Sequence, residues 1–161
     1  MRRSSARALA VVASIVLAGM SVSAQSTEPW VGKWKLNLLR SVYSPGPLPT
    51  VKSQVVTHEA VPNGIRTIIE NVGADGTAGR TEVTAMFDGK EYELKGAANP
   101  TTRVYRRIDD RSFEYVERVN GRVTVTTKVE ISADGKTRTN TTTGTTPQGR
   151  KVHNVVISER Q

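Results

Sequence analysis

Residues 113–132 read FEYVERVNGRVTVTTKVEIS, and this stretch carries a clear strand signal. From Val123 to Ile131, apolar side chains and Thr127 occupy every second position, with polar residues between them. Period-two alternation is typical of a β-strand with one buried face. The dipeptide Asn120-Gly121 is a strong hairpin-turn signal between two such strands. The sequence therefore predicts an antiparallel hairpin here.

Burial of one face selects the register of this hairpin. A two-residue turn at Asn120-Gly121 would pair Val119 with Arg122 and put the two apolar sets on opposite faces. A three-residue loop pairs Val119 with Val123 and brings both sets to one face, so we predict that loop. The same argument applies to the turn at Asp134-Gly135-Lys136.

Turn signals recur along the rest of the chain at short intervals. They include Asn63-Gly64, Asp75-Gly76, Asp88-Gly89, Asn99-Pro100, Asp109-Asp110 and Pro147-Gln148-Gly149. Short strands at such spacing predict an all-β meander with sequential neighbours paired. The predicted fold is a single antiparallel up-and-down β-barrel of about 8–10 strands, with Trp34, Leu36, Val83, Phe87, Tyr115, Val125 and Val129 inside.

The N-terminus has the pattern of a secretory signal peptide. Three arginines precede an apolar run from Ala8 to Met20, and small residues stand before Gln25. The run is shorter than the roughly 20 residues of a membrane span, although a retained anchor is the alternative. We predict a signal peptide at 1–24, cleavage near Ala24-Gln25, a barrel domain at 25–161, and a periplasmic or secreted protein without stable membrane insertion.

Composition narrows the function classes. The chain has no cysteine, which excludes a lipid-anchored lipoprotein, disulfides and a cysteine nucleophile. Its net charge is +8, and the cations are scattered among acids, as on a solvated surface. Aromatic and basic residues interleave only around Arg103–Arg107, so we predict no nucleic-acid partner.

The opening of the predicted domain resembles that of calycin barrels. Gly32-Lys33-Trp34 is similar to the Gly-x-Trp start of the lipocalins and fatty-acid-binding proteins, and Ile157–Gln161 to a closing strand of the latter. The resemblance implies a lipocalin-like barrel with Trp34 at its floor. The chain departs from fatty-acid-binding proteins in two respects. The link at 39–50 is too short for their helical lid, and Val156 and Ser158 stand where their last-strand carboxylate clamp would be.

The chain is more closely similar to a family of small exported bacterial proteins. Its members share a GKWKLN…SPGP opening, here Gly32–Asn37 and Ser44–Pro47, and a related ending at Asn154–Gln161. No activity is attached to that family, so the resemblance implies an exported barrel without naming a ligand.

Charged and hydroxyl side chains fall on the predicted inner face. Glu117 shares a face with Tyr115 and Thr127, and a turn pairing Ile108 with Phe113 places Arg106 there as well. Continuing the register across the Asp134 turn puts Thr139, Thr141 and Thr143 inside. Inward charges are costly unless they are paired or hydrated. Two interpretations stay open: a partly hydrated lumen, or charges at the barrel mouth without a specific role.

No catalytic constellation is recognised. The two histidines, His58 and His153, do not form a metal-binding pair, and we predict that His153 faces outward rather than binding haem. Asp109-Asp110 fits turn chemistry better than a catalytic pair. We therefore predict no metal and no cofactor, and an enzyme of isomerase or hydratase type is only a third hypothesis.

Together these features favour a non-catalytic, exported carrier of a small apolar or amphipathic ligand held in the lumen. The predicted ligand-binding residues are Trp34, Arg106, Tyr115, Glu117, Thr127 and Thr141. The alternative is a protein-interaction module with a solid core and no ligand. The sequence leaves the ligand and the oligomeric state open.

Overall fold

A computed structural model describes residues 28–45, 51–146 and 148–161. The predicted signal peptide, its cleavage site, residues 46–50 of the link at 39–50 and Pro147 of the last predicted turn lie outside the described residues. The strands are β1 (Gly32–Leu36), β2 (Val42–Ser44), β3 (Val51–Val61), β4 (Gly64–Gly73), β5 (Ala78–Met86), β6 (Glu91–Glu93), β7 (Thr101–Arg107), β8 (Ser112–Val119), β9 (Arg122–Ile131), β10 (Thr137–Thr145) and β11 (Lys151–Arg160). A short 3-10 helix, Leu38–Arg40, separates β1 from β2.

The strands form one antiparallel sheet. Its order is β5-β4-β3-β1-β11-β10-β9-β8-β7-β6, and β2 pairs with β11 beside β1. Strands that follow one another in the chain are neighbours from β3 to β5 and from β6 to β11. This arrangement confirms the predicted all-β, up-and-down fold.

The two ends of the sheet meet through one pair of backbone hydrogen bonds. The Glu82 N–H donates to the Lys95 carbonyl at 3.0 Å, and the Lys95 N–H donates to the Glu82 carbonyl at 2.8 Å. Because Glu82 is on β5 and Lys95 follows β6, this contact curls the sheet into a nearly closed barrel. Closure covers strand edges that would otherwise be open to other chains.

Trp34 and Arg160 close one end of the barrel. The Arg160 guanidinium carbon lies 4.3 Å from the centre of the Trp34 ring. Its nitrogens donate hydrogen bonds to three backbone carbonyls, those of Pro29, Val31 and Gly135. Gly32 has φ +132°, and a Cβ there would come within 2.6 Å of Arg160 Nη1. The Gly-x-Trp pattern is therefore part of this closure.

Apolar side chains fill the interior next to the closed end. Trp30 packs edge-on against Phe113 with ring centres 5.6 Å apart, and the Trp34 Nε1–H donates to the Trp30 carbonyl at 2.8 Å. We call this cluster the apolar floor, comprising Trp30, Trp34, Ile65, Phe113 and Val129. Of the predicted interior residues, Trp34, Val83 and Val129 are buried, and Leu36, Phe87, Tyr115 and Val125 are partly buried.

The β8–β9 hairpin reaches the predicted strand register by another route. Its turn has two residues, Asn120 and Gly121, both with positive φ, and Val119 pairs with Arg122. The predicted three-residue loop is therefore wrong. Arg118 pairs with Val123 and Glu117 pairs with Val125, so Thr124 is an extra residue that forms a bulge in β9. The bulge restores the predicted pairing of Glu117 with Val125. On the side of the bulge away from the turn, the apolar residues of β8 and β9 face the core together, while Val123, next to the turn, is exposed.

The β7–β8 turn corrects the position of the inward arginine. Arg107, and not Ile108, pairs with Phe113, so the predicted register is off by one residue. Because a slip of one residue exchanges the two faces, Arg106 lies outside, opposite Glu114. Tyr105 occupies the predicted place of Arg106 opposite Tyr115, and the inward-facing arginine of β7 is Arg103, opposite Glu117.

The β9–β10 turn brings a second correction. Arg138 pairs with Ile131 and is buried, so Arg138, Asn140 and Thr142 form the inner row of β10. The predicted inward residues Thr139, Thr141 and Thr143 consequently face outward. The turn holds one residue more than the predicted loop, and this shifts the pleat by one position.

Candidate functional site

A cavity of about 170 Å³ lies inside the barrel, next to the apolar floor. Its wall is formed by inward-facing residues of β3, β4, β7, β8 and β10. Liquid water occupies about 30 Å³ per molecule, so the cavity has the volume of five or six waters. We call its polar wall the polar layer, comprising His58, Thr67, Arg103, Tyr105, Arg138 and Asn140.

Arg103 is the paired cation of the polar layer. Its Nε and Nη2 both donate to Glu117 Oε2, at 2.9 and 2.8 Å. Its guanidinium also lies over the Tyr115 ring, 4.5 Å from the centre. The charge of this buried arginine is thus balanced by a carboxylate and spread against an aromatic face.

Arg138 is a buried cation of a different kind. The residue is 4% exposed, and its Nε has no hydrogen-bond partner. Among the described residues, no carboxylate lies within ion-pair distance of its guanidinium. Burial lowers the pKa of Arg138 to about 10, and the neighbouring Arg103 acts in the same direction. The group is still protonated at neutral pH, so it places an unbalanced positive charge in the cavity wall.

His58 is buried beside these two arginines. Its Nδ1 lies 3.0 Å from Thr67 Oγ1, whereas its Nε2 has no partner. Burial, together with the positive charges of Arg138 and Arg103, lowers the pKa of His58 well below its usual value. The imidazole is therefore neutral at pH 7. If Thr67 donates to Nδ1, the proton resides on Nε2, which becomes a free donor.

Two further polar atoms of this layer are buried without a hydrogen bond of normal geometry. They are the Tyr105 hydroxyl and Asn140 Oδ1, although Arg103 and Thr67 are close enough to the hydroxyl to influence its pKa. Buried polar groups in native proteins are nearly always partnered. Four orphan atoms around one cavity, counting Arg138 Nε and His58 Nε2, indicate a place where a polar ligand or water completes the bonding.

The structure separates the six predicted ligand-binding residues into three groups. Tyr115 lines the cavity, and Glu117 bonds to Arg103 in its wall. Trp34 and Thr127 face inward, but Trp34 belongs to the floor and Thr127 bonds to Thr142 at 2.9 Å. Arg106 and Thr141 lie on the outer surface, where Arg106 is paired with Glu114.

Sequence reasoning missed His58 and Arg138, which contribute most to the site. In VVTHEA, both alternation phases contain a valine, so the face of His58 is ambiguous. In TRTNTTTGT, no apolar residue marks an inner row. For Arg103, by contrast, the signal existed: a one-residue shift of the β7–β8 register would have placed it opposite Glu117.

Other parts of the described chain offer less chemistry. A larger depression of about 490 Å³ lies on the surface between the β8–β9 and β10–β11 turns, and its one charged lining residue is the exposed Arg122. Residues 28–45, 51–146 and 148–161 contain no group of three metal-binding side chains. In the same ranges, no helix has the length and apolar character to cross a membrane. His153 is exposed, as predicted.

The sequence matches no protein-family model and no curated protein.

Proposed function

We propose that this protein is a non-catalytic, exported binding protein that holds a small amphipathic molecule in the barrel lumen. The observation that carries the proposal is the internal cavity with four orphan polar atoms in its wall. Each such atom costs about 1–3 kcal/mol while it stays unpaired, so a molecule that completes the bonding of all four stabilises the protein.

The cavity wall suits a ligand with two kinds of surface. Val56, Ile69 and Phe113 supply apolar contact area, and the polar layer supplies a few fixed hydrogen-bonding groups. Ligand sites commonly combine apolar walls with a small number of orienting polar groups. The closed end formed by Gly32 and Trp34 also supports the proposal that the chain is a calycin-like protein.

The first test asks what the protein carries. The full-length chain is expressed in a bacterium with a periplasm, and the protein is purified without detergent. Native mass spectrometry then compares its mass before and after organic extraction, and the extract is identified. We expect one small molecule per chain in a substantial fraction of the protein.

A matched pair of variants assigns the binding to the lumen. Asn140→Phe fills the cavity, whereas Thr141→Phe puts the same ring on the outer face of the same strand. We expect Asn140→Phe to lose the bound molecule and uptake of the small neutral fluorescent probe 1-naphthol, and Thr141→Phe to retain both.

Two results would contradict the proposal. An empty wild-type barrel that also refuses the probe would favour the alternative, a protein-interaction module with a solid core. Equal loss in both variants would place the binding outside the cavity.

A further inference from the structure

We propose that the cavity binds the carboxylate of a monoanionic small molecule, with Arg138 as its main charge partner. This inference rests on the proposed function, because it names the chemical class that the same site accepts. It comes from the balance of charge and hydrogen bonds within the polar layer.

The inner face of the described barrel contains a surplus positive charge at the cavity. Arg103 and Glu117 neutralise each other, and Arg138 has no acidic partner among the described residues. The phenol of Tyr105 lies near Arg138, and burial raises its pKa, so it supplies no negative charge at pH 7. An isolated buried charge is strongly unfavourable in a folded protein. One bound negative charge restores the balance.

The orphan groups supply hydrogen-bond donors as well as charge. The Arg138 guanidinium is a fork that matches a carboxylate, and the Tyr105 hydroxyl can donate. His58 Nε2 can donate in the tautomer in which Thr67 bonds to Nδ1. Rotation of the Asn140 amide turns its NH₂ toward the cavity in place of Oδ1. All four groups lie in the wall of one cavity.

The surroundings restrict the ligand to one negative charge and a small size. Glu117 stands beside Arg103 and disfavours a second anionic group in the same space. The apolar floor is filled by Trp30, Trp34 and Phe113, so a ligand tail cannot extend toward the closed end. A carboxylate on a short apolar chain, at the scale of hexanoate, meets both limits.

Matched six-carbon probes test the charge requirement. Isothermal titration calorimetry at pH 7.5 compares hexanoate, hexanol and hexylamine on the purified, extracted protein, with inorganic phosphate as a fourth probe. We expect hexanoate to bind at least tenfold more tightly than hexanol. We expect no measurable binding of hexylamine or phosphate.

Variants at two arginines assign the preference to Arg138. Arg138→Gln should reduce the hexanoate preference over hexanol to less than threefold, and Arg138→Lys should keep part of it. Arg106→Gln is the control, because Arg106 is on the outer face, and it should bind like the wild type. If Arg138→Gln does not fold, the preference for hexanoate over hexanol is compared between Arg138→Lys and the wild type, and an equal preference would contradict the role of Arg138.

The outcomes separate this inference from the proposed function. Equal binding of hexanoate and hexanol would overturn the anion site and leave a lumen binder. Tighter binding of phosphate than of hexanoate would overturn the carboxylate assignment. A barrel that binds none of the four probes, carries no extractable molecule and refuses the fluorescent probe would overturn both.

Discussion

Next to its closed end the barrel is filled by the rings of Trp30, Trp34 and Phe113, whereas at the cavity it is lined by Arg103, Arg138 and His58. The first region buries apolar area and stacks aromatic rings. The second region buries charge and gathers four polar atoms without partners, whereas the first region has one, Trp30 Nε1. One continuous sheet thus holds a part that stabilises the fold and a part that costs stability.

The two regions differ in what their residues contribute to the stability of the fold. Burial of apolar surface contributes roughly 25 cal/mol per Å² to stability, so the stability of the fold accounts for the residues of the apolar floor. Replacing a buried polar network by well-packed apolar side chains is often neutral or stabilising. Stability therefore does not account for the polar layer, and this supports the proposed binding role.

The largest expected effect is in the apolar floor. Trp34→Ala removes a fully buried ring, its hydrogen bond to the Trp30 carbonyl and its contact with Arg160. We expect the free energy of unfolding to fall by about 3–5 kcal/mol, measured by urea denaturation. Leu39→Ala is the control, because Leu39 is 99% exposed and should change the same quantity by less than about 0.5 kcal/mol. A loss below about 1 kcal/mol in Trp34→Ala would contradict the role of the floor.

A smaller effect distinguishes the inside of the barrel from its outside. Glu117→Gln leaves buried Arg103 without a carboxylate, and we expect a loss of about 2 kcal/mol in the free energy of unfolding. Glu114→Gln removes the equivalent cross-strand partner of Arg106, whose side chain is 73% exposed. That change should cost less than about 0.5 kcal/mol. Similar losses in the two variants would show that the inner pair is as well hydrated as the outer one.

The smallest expected effect, counted per pH unit, is a pH dependence of the polar layer. The unfolded His58 titrates near 6.5, and the pKa of the folded residue is well below that value. As the pH falls through 6.5, the unfolded chain gains a proton that the folded chain does not. The free energy of unfolding should therefore fall by up to about 1.4 kcal/mol per pH unit.

Urea denaturation between pH 7.5 and 5 measures this slope. Carboxylates with lowered pKa values, such as Asp134, reduce the stability only as the pH falls through their unfolded pKa near 3.8, below this interval. His58→Gln should flatten the curve, while His153→Gln, at an exposed position, should retain it. An unchanged slope in His58→Gln would assign the pH dependence to other groups.

Sequence patterns predicted the fold better than the site, for a physical reason. Alternation and turn residues are local signals, and they sufficed for an up-and-down barrel; the place of Trp34 at one end was implied by the resemblance of Gly32-Lys33-Trp34 to the opening of calycin barrels. Register depends on the length of each turn, and an error of one residue exchanges the faces of a whole strand. The β7–β8 turn exchanged Arg106 for Arg103 in this way, and the β9–β10 turn exchanged Thr141 for Asn140.

The bulge in the β8–β9 hairpin illustrates the remaining difficulty. Burial correctly required Glu117 to pair with Val125, but two solutions satisfy that requirement. The chain uses the favourable Asn120-Gly121 turn and compensates within the strand, where no residue type marks the bulge. The same limit applies to Arg138, because its strand is almost uniformly polar and shows no inner row before the barrel is assembled.

The position of Arg160 links folding of the barrel to the order in which its parts assemble. Its guanidinium bonds to carbonyls 129 and 131 positions earlier in the chain. Bringing such distant segments together in an unfolded chain costs about 4 kcal/mol in loop-closure entropy, more than one such hydrogen bond contributes. These bonds are therefore favourable only after the intervening strands have brought residues 29–31 close to Arg160. The closure at Arg160 is a consequence of the completed meander and cannot be its nucleus.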